Sequence, residues 1–145
     1  MMKHLLSVSL GIALGAAGLL AAQHQEHAHG KVTVLSQRDI DETIDDKAAK
    51  VTMIEVSYGP GEGTGPHRHA GAIFGYVLEG EFETALEKDA PKTLKAGDTF
   101  YEPRGVLHRV SRNPHAKNRT RVLAIMVSPR DAKELTVLEQ PAAGQ

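Results

Sequence analysis

Two histidines two residues apart, His67 and His69, stand in GEGTGPHRHAGAIFGYVLEG (residues 61–80). A third, His108, follows in GDTFYEPRGVLHRVSRN (residues 97–113). On a β-strand, residues i and i+2 point to the same face, so His67 and His69 can aim two imidazoles at one point. Three neutral imidazoles converging on one point make a site for a transition metal. A His-x-His pair also occurs in merely packed or solvated strands. What marks this pair is the glycine and proline frame around both segments. Pro103 fixes φ and Gly105 accepts positive φ, so the bend between them sets where His108 points.

The elements that must position these residues read as short strands. Residues 51–58 (VTMIEVSY) form one, and the glycine- and proline-rich residues 59–66 form a loop at the mouth of a pocket. Residues 71–78 form the next. Ile73 and Val77 share the histidine face, while Phe74, Tyr76 and Leu78 point the other way. Both faces are apolar, which predicts a strand covered on each side. A turn at 79–81 returns residues 82–86 as a hairpin partner. Residues 93–94, 99–102 (stopped by Pro103), 106–110 and 121–127 complete the set, with 135–138 as an edge strand or dimer arm. Residues 32–35 read as a first strand. Residues 36–50, with Asp39, Asp41, Glu42, Asp45 and Asp46, read as a solvated acidic loop. Short strands separated by Gly/Pro turns, without a long helical pattern, predict a small all-β barrel or jelly roll.

The two histidine segments resemble the paired motifs of the cupin superfamily. The first motif runs Gly, five residues, His-x-His, three or four residues, Glu, six residues, Gly, and Gly61, His67, His69 and Gly80 fall on it. The second runs Gly, five residues, Pro-x-Gly, two residues, His, three residues, Asn. Gly97, Pro103, Gly105 and His108 match, and Asn113 arrives one residue late. The resemblance covers residues 51–127. It implies a cupin-type double-stranded β-helix, a jelly-roll barrel that binds a divalent transition metal, with Fe, Mn or Zn as the expected ions. The family's glutamate position is occupied by Ile73, or by Phe74 at the alternative spacing, and neither side chain ligates. The implied ligand set is therefore His67, His69 and His108.

Without a carboxylate the site keeps the full charge of the ion, which favours a small anionic substrate. Three-histidine cupins include dioxygenases, so the resemblance implies an oxidoreductase of that kind on a small organic molecule. A non-catalytic module that binds a metal or small ligand is the other open class, and a dimeric scaffold is a third. Proton transfer needs a further group. Tyr101 and Glu102, just before the second motif, are the candidate catalytic residues, in the pocket or behind the ligands. The plain alternative has Tyr101 packed in the wall and Glu102 facing water.

The chain has 145 residues, a formal net charge of −1 and a pI near 6.7, which suits one domain and lacks the basic excess of nucleic-acid binders. It has no cysteine, so disulfides, thiolate ligands and lipoprotein anchoring are excluded. Residues 5–22 are uncharged and rich in Leu, Ala and Gly, the pattern of a signal peptide cut near Ala21 or Ala22. An uncleaved anchor is disfavoured because a span needs about 20 apolar residues. The expected organisation is a signal peptide (1–22), a histidine-containing linker (23–31) and a cupin barrel (32–145). The expected location is a bacterial periplasm or the extracellular space, with no membrane anchor after cleavage. A small-molecule ligand and a homodimer are the expected partners. His24, His27 and His29 in the linker are either a metal-loading tail or solvated spacer.

Overall fold

The computed structural model describes residues 30–139. The expected signal peptide and His24, His27 and His29 of the linker lie outside the described residues. Eleven strands and no helix make up the rest. The first two, β1 (Lys31–Ile44) and β2 (Lys47–Tyr58), pair as one long antiparallel hairpin. Most of the acidic segment at 36–50 is therefore strand and not loop, and Lys31 of the expected linker opens β1. The reason lies at the tip. Asp45 and Asp46 have φ of 50° and 58°. Two successive left-handed residues make the turn whose twist suits a two-residue hairpin, and Asp tolerates that conformation better than most side chains. The acidic side chains stay in water because β1 is an edge strand, exposed along nearly its whole length.

The remaining strands are β3 (Gly63–Thr64), β4 (His67–His69), β5 (Ala72–Glu79), β6 (Glu81–Leu86), β7 (Lys92–Lys95), β8 (Thr99–Glu102), β9 (His108–Arg112), β10 (Thr120–Pro129) and β11 (Thr136–Leu138). They form two antiparallel sheets, one in the order β1-β2-β10-β5-β8 and the other β11-β4-β9-β6-β7, with β3 on β9. The all-β jelly-roll architecture expected from strand spacing is the one observed.

One expected pairing differs. Residues 82–86 are not the hairpin partner of 71–78: β5 pairs with β10 and β8, whereas β6 pairs with β9 and β7. The chain changes sheets at Gly80, whose φ of 77° is a left-handed value. A Cβ there would run into the carbonyl oxygen of Arg119. The Pro103–Gly105 bend makes another change of sheet, from β8 to β9. His108 is the first residue of β9 and not the middle of a strand over 106–110.

Between the sheets, Ile73 and Val77 of β5 pack with Val122, Ala124 and Met126 of β10, Phe82 of β6 and Tyr58 of β2. Phe100 bridges both parts of this core and lies over Gly75, where any side chain would displace its ring. The alternation read from sequence holds along β5. The cover on both sides does not: Phe74 is 54% exposed, and Tyr76 and Leu78 beside it also face outward. The local apolar pattern shows that a face is apolar but not that another layer lies on it.

Replacing Gly80 with Ala is expected to lower unfolding free energy by about 1–3 kcal/mol, through left-handed strain and the Arg119 contact. A shift of the urea midpoint with an unchanged slope checks it.

Candidate metal centre

His67 and His69 lie on β4 with the same parity, and His67 stands directly opposite His108 across the β4–β9 ladder. One ring nitrogen from each of the three histidines falls within 4.8 Å of the others. The chain therefore brings the three sequence-predicted ligand residues together. Each ring is fixed from behind by an oxygen. His67 Nδ1 donates to the Gly65 carbonyl at 2.7 Å, His69 Nδ1 pairs with Thr136 Oγ1 of β11 at 3.1 Å, and His108 Nε2 pairs with Thr84 Oγ1 of β6 at 2.8 Å. The opposite nitrogens turn inward: His67 Nε2 and His69 Nε2 are 3.1 Å apart. An outer nitrogen held by an oxygen, with the inner one free, is how proteins orient metal-binding imidazoles. A donating Nδ1 on His67 leaves a lone pair on its Nε2.

Glu102 enters from the other sheet, at the end of β8, and is 3% exposed. Its Oε1 is 3.1 Å from His108 Nδ1 and its Oε2 is 3.6 Å from His69 Nε2. Oε2 and His108 Nδ1 are both buried without an aligned hydrogen bond. A buried, unpaired polar atom is costly unless something else satisfies it. The donor set fits a divalent transition ion: imidazoles and a carboxylate, largely buried, with outer nitrogens oriented and Glu102 Oε2 and His108 Nδ1 unpartnered on the inner side.

The two candidate proton-transfer residues separate. Alternation along β8 sends Phe100 and Glu102 inward and Tyr101 outward. Tyr101 is 52% exposed and packs on Phe74 at a ring separation of 5.1 Å; it does not face the histidines. Sequence reasoning placed Glu102 near the site without seeing that it touches two of the three histidines. The usable signal was Phe100, an apolar residue sharing its face. Arg68 points away from the site, as alternation requires, and donates to the Gly105 carbonyl at 2.7 Å. Arg104 contacts Asp45 at the hairpin tip, and Arg109 donates to the Glu87 and Asp89 carbonyls. Asn113, offset by one residue in the second motif, is fully buried. Its amide donates to the Gly59 and Asn118 carbonyls at 2.9 and 2.7 Å and its Oδ1 accepts from His115 N, so it ties two loops together.

Burial pushes His67 down to about 4, its bond to Gly65 opposing in part. Burial likewise lowers His69, with the Glu102 charge opposing. His67 is thereby kept neutral, the form that ligates, well into the acid range, and His69 is shifted in the same direction. Free histidine in the unfolded chain titrates near 6.5. The unfolded state thus binds more protons between about 6.5 and about 4, and stability must fall as pH falls through that window. In EDTA, the urea midpoint is expected to be constant above neutral pH and to drop between pH 6.5 and 4. His67→Gln is expected to flatten that drop.

Residues 54–126 match the family model described as a cupin domain. Germin-like protein 5-1 of Oryza sativa subsp. japonica is 33% identical over 96 residues, which is 63% of this chain and 42% of that protein. The chain thus spans less than half the length of that relative. Among solved structures, DMSP lyase DddQ from Ruegeria pomeroyi DSS-3 superposes with a TM-score of 0.60 at 22% identity, covering 92% of this chain and 59% of that one. A Klebsiella pneumoniae protein with a double-stranded β-helix domain gives a TM-score of 0.59 at 19% identity, covering 79% of this chain and 87% of that one. These two likenesses are of fold. With the motif frame, the two-sheet architecture and the family match in agreement, the chain belongs to the cupin family.

Proposed function

We propose that the protein is an exported cupin in which His67, His69 and His108 hold one divalent transition ion, iron, manganese or zinc, and that it acts as a dioxygenase-type enzyme on a small anionic organic substrate. The observation that supports the metal is the set of three oriented rings with ligand atoms within 4.8 Å. When bound, such an ion supplies Lewis-acid attraction for an anion and, if redox-active, a place for O₂. The protein's own part is to keep the rings aimed and dry. The His69 side chain, 11% exposed against 3% for His108, is the more open of the two, so a ligand approaches from its side. Of the two candidate proton-transfer groups, only Glu102 lies within reach of the histidines.

One observation favours the non-catalytic reading, a module that binds a metal or small ligand without turnover. A cavity of about 630 Å³ lies along the 61–66 loop, Glu83 and Arg112, and none of the three histidines lines it. The crevice bordered by Thr84, Phe100 and Glu102 is only about 120 Å³, below the 300–1,000 Å³ of ordinary ligand pockets.

Elemental analysis of full-length protein purified without chelator is expected to give about one transition metal per chain. His67→Ala and His108→Ala are expected to lose it, and with it the stabilisation of about 2.7 kcal/mol that metal at 100 times its Kd confers. Full occupancy in both variants overturns the three-histidine site. O₂ uptake by loaded protein with a diketone, a catechol and a flavonol separates the enzyme from the binding module: consumption with any of them supports the first, none the second.

A further inference from the structure

The position that carries the family's ligating glutamate in the first motif is Ile73, a fully buried core residue. In the β5–β8 ladder the partner of Ile73 is Glu102. Directly opposed residues on neighbouring strands project to the same face with Cβ atoms about 5 Å apart. A carboxylate at 102 therefore enters the same space as one at 73, from the adjacent strand. We propose that Glu102 is the fourth metal ligand of this protein, a carboxylate supplied by β8 in place of the one that β5 lacks. The inference rests on the three-histidine reading and extends it.

Three observations carry it. First, Glu102 is 3% exposed and its Oε2 has no hydrogen-bond partner. A structural carboxylate that far from water would normally be satisfied at both oxygens. Second, the spacing of Glu102 to its nearest histidine is that of donors sharing an ion. The group whose ligand atoms all lie within 4.8 Å of one another is the three histidines without it, so the carboxylate must shift to join them. Ligand atoms at about 2.1 Å from one metal and at right angles to each other are about 3.0 Å apart. Glu102 Oε1 to His108 Nδ1 is 3.1 Å, and His67 Nε2 to His69 Nε2 is 3.1 Å. Third, His108 already has an orienting partner in Thr84, on its other nitrogen. Glu102 is not needed to hold that ring, and the nitrogen it approaches is the inward one. Pro103 follows immediately, so the backbone that delivers the carboxylate is stiff.

The carboxylate also changes what the site prefers. With Glu102 ligating, the centre carries one positive charge fewer than three imidazoles alone would leave, and mono-anions become better suited to it than dianions.

The test uses cobalt(II) titrated into the full-length chain at pH 7.5, followed by calorimetry and by the visible absorption of the bound ion. Glu102→Gln preserves shape and is expected to weaken cobalt(II) binding at least about tenfold and to change the visible spectrum. The exchange variant Ile73→Glu/Glu102→Val, with the carboxylate returned to β5, is expected to recover affinity to within a few-fold of wild type. Wild-type affinity and spectrum in Glu102→Gln overturn the proposal. So does lost affinity with an unchanged spectrum, which makes Glu102 a positioning residue. If circular dichroism shows that the exchange variant does not fold, the two readouts of Glu102→Gln decide alone. A wild-type chain that takes up no cobalt(II) fails at the three histidines instead, so the two failures are distinct.

Discussion

Burial without compensation is the constraint on which the rest depends. His67, Glu102 and His108 are each at least 96% removed from solvent, yet the barrel supplies oxygen partners only at the histidines' outer nitrogens and leaves His108 Nδ1 and Glu102 Oε2 without one. Each replacement comes from a different element: the loop before β4, strand β6 and strand β11. The inner atoms are left facing one another. Crowding lone pairs into a dry interior is unfavourable unless a positive charge joins them. The fold therefore withdraws these groups from water in a way that a cation would offset.

The architecture around them explains how such a concentration is held. Repeated changes of sheet, among them those at Gly80 and across Pro103–Gly105, take the chain from one layer to the other. Glu102 and His108 are consequently close in sequence but arrive from opposite sheets. The core between the layers is assembled from β2, β5, β6 and β10, with Phe100 lying over Gly75. The same rigidity that places Phe100 on the inner face of β8 places Glu102 there. Packing and site are one alternation on one strand.

Much of this was legible in the sequence, and the remainder was not for identifiable reasons. The shared face of His67 and His69 follows from strand parity, and the sharp corner before His108 from Pro103 and Gly105. The all-β class follows from strand length and turn residues. These are local properties. Which strands are neighbours is not local: nothing in residues 79–86 says that the chain leaves its sheet at Gly80. The register that sets Ile73 against Glu102 depends on residues nearly thirty positions apart. The β1–β2 hairpin was hidden for another reason. An edge strand can be almost wholly polar, and the hydrophobic alternation that announces strands is absent where neither face is covered. Tyr101 and Glu102 could have been separated, because Phe100 marks the inward face and Tyr101 stands between.

One hydrogen bond has a bearing on timing. His69 is steadied by Thr136, which lies 67 residues further along the chain, in a short strand near the end of the described residues. The hydroxyl that steadies this ring is therefore made long after the ring itself. The aim of His69 thus waits on β11 reaching β4, one of the latest pairings among the described residues in chain order.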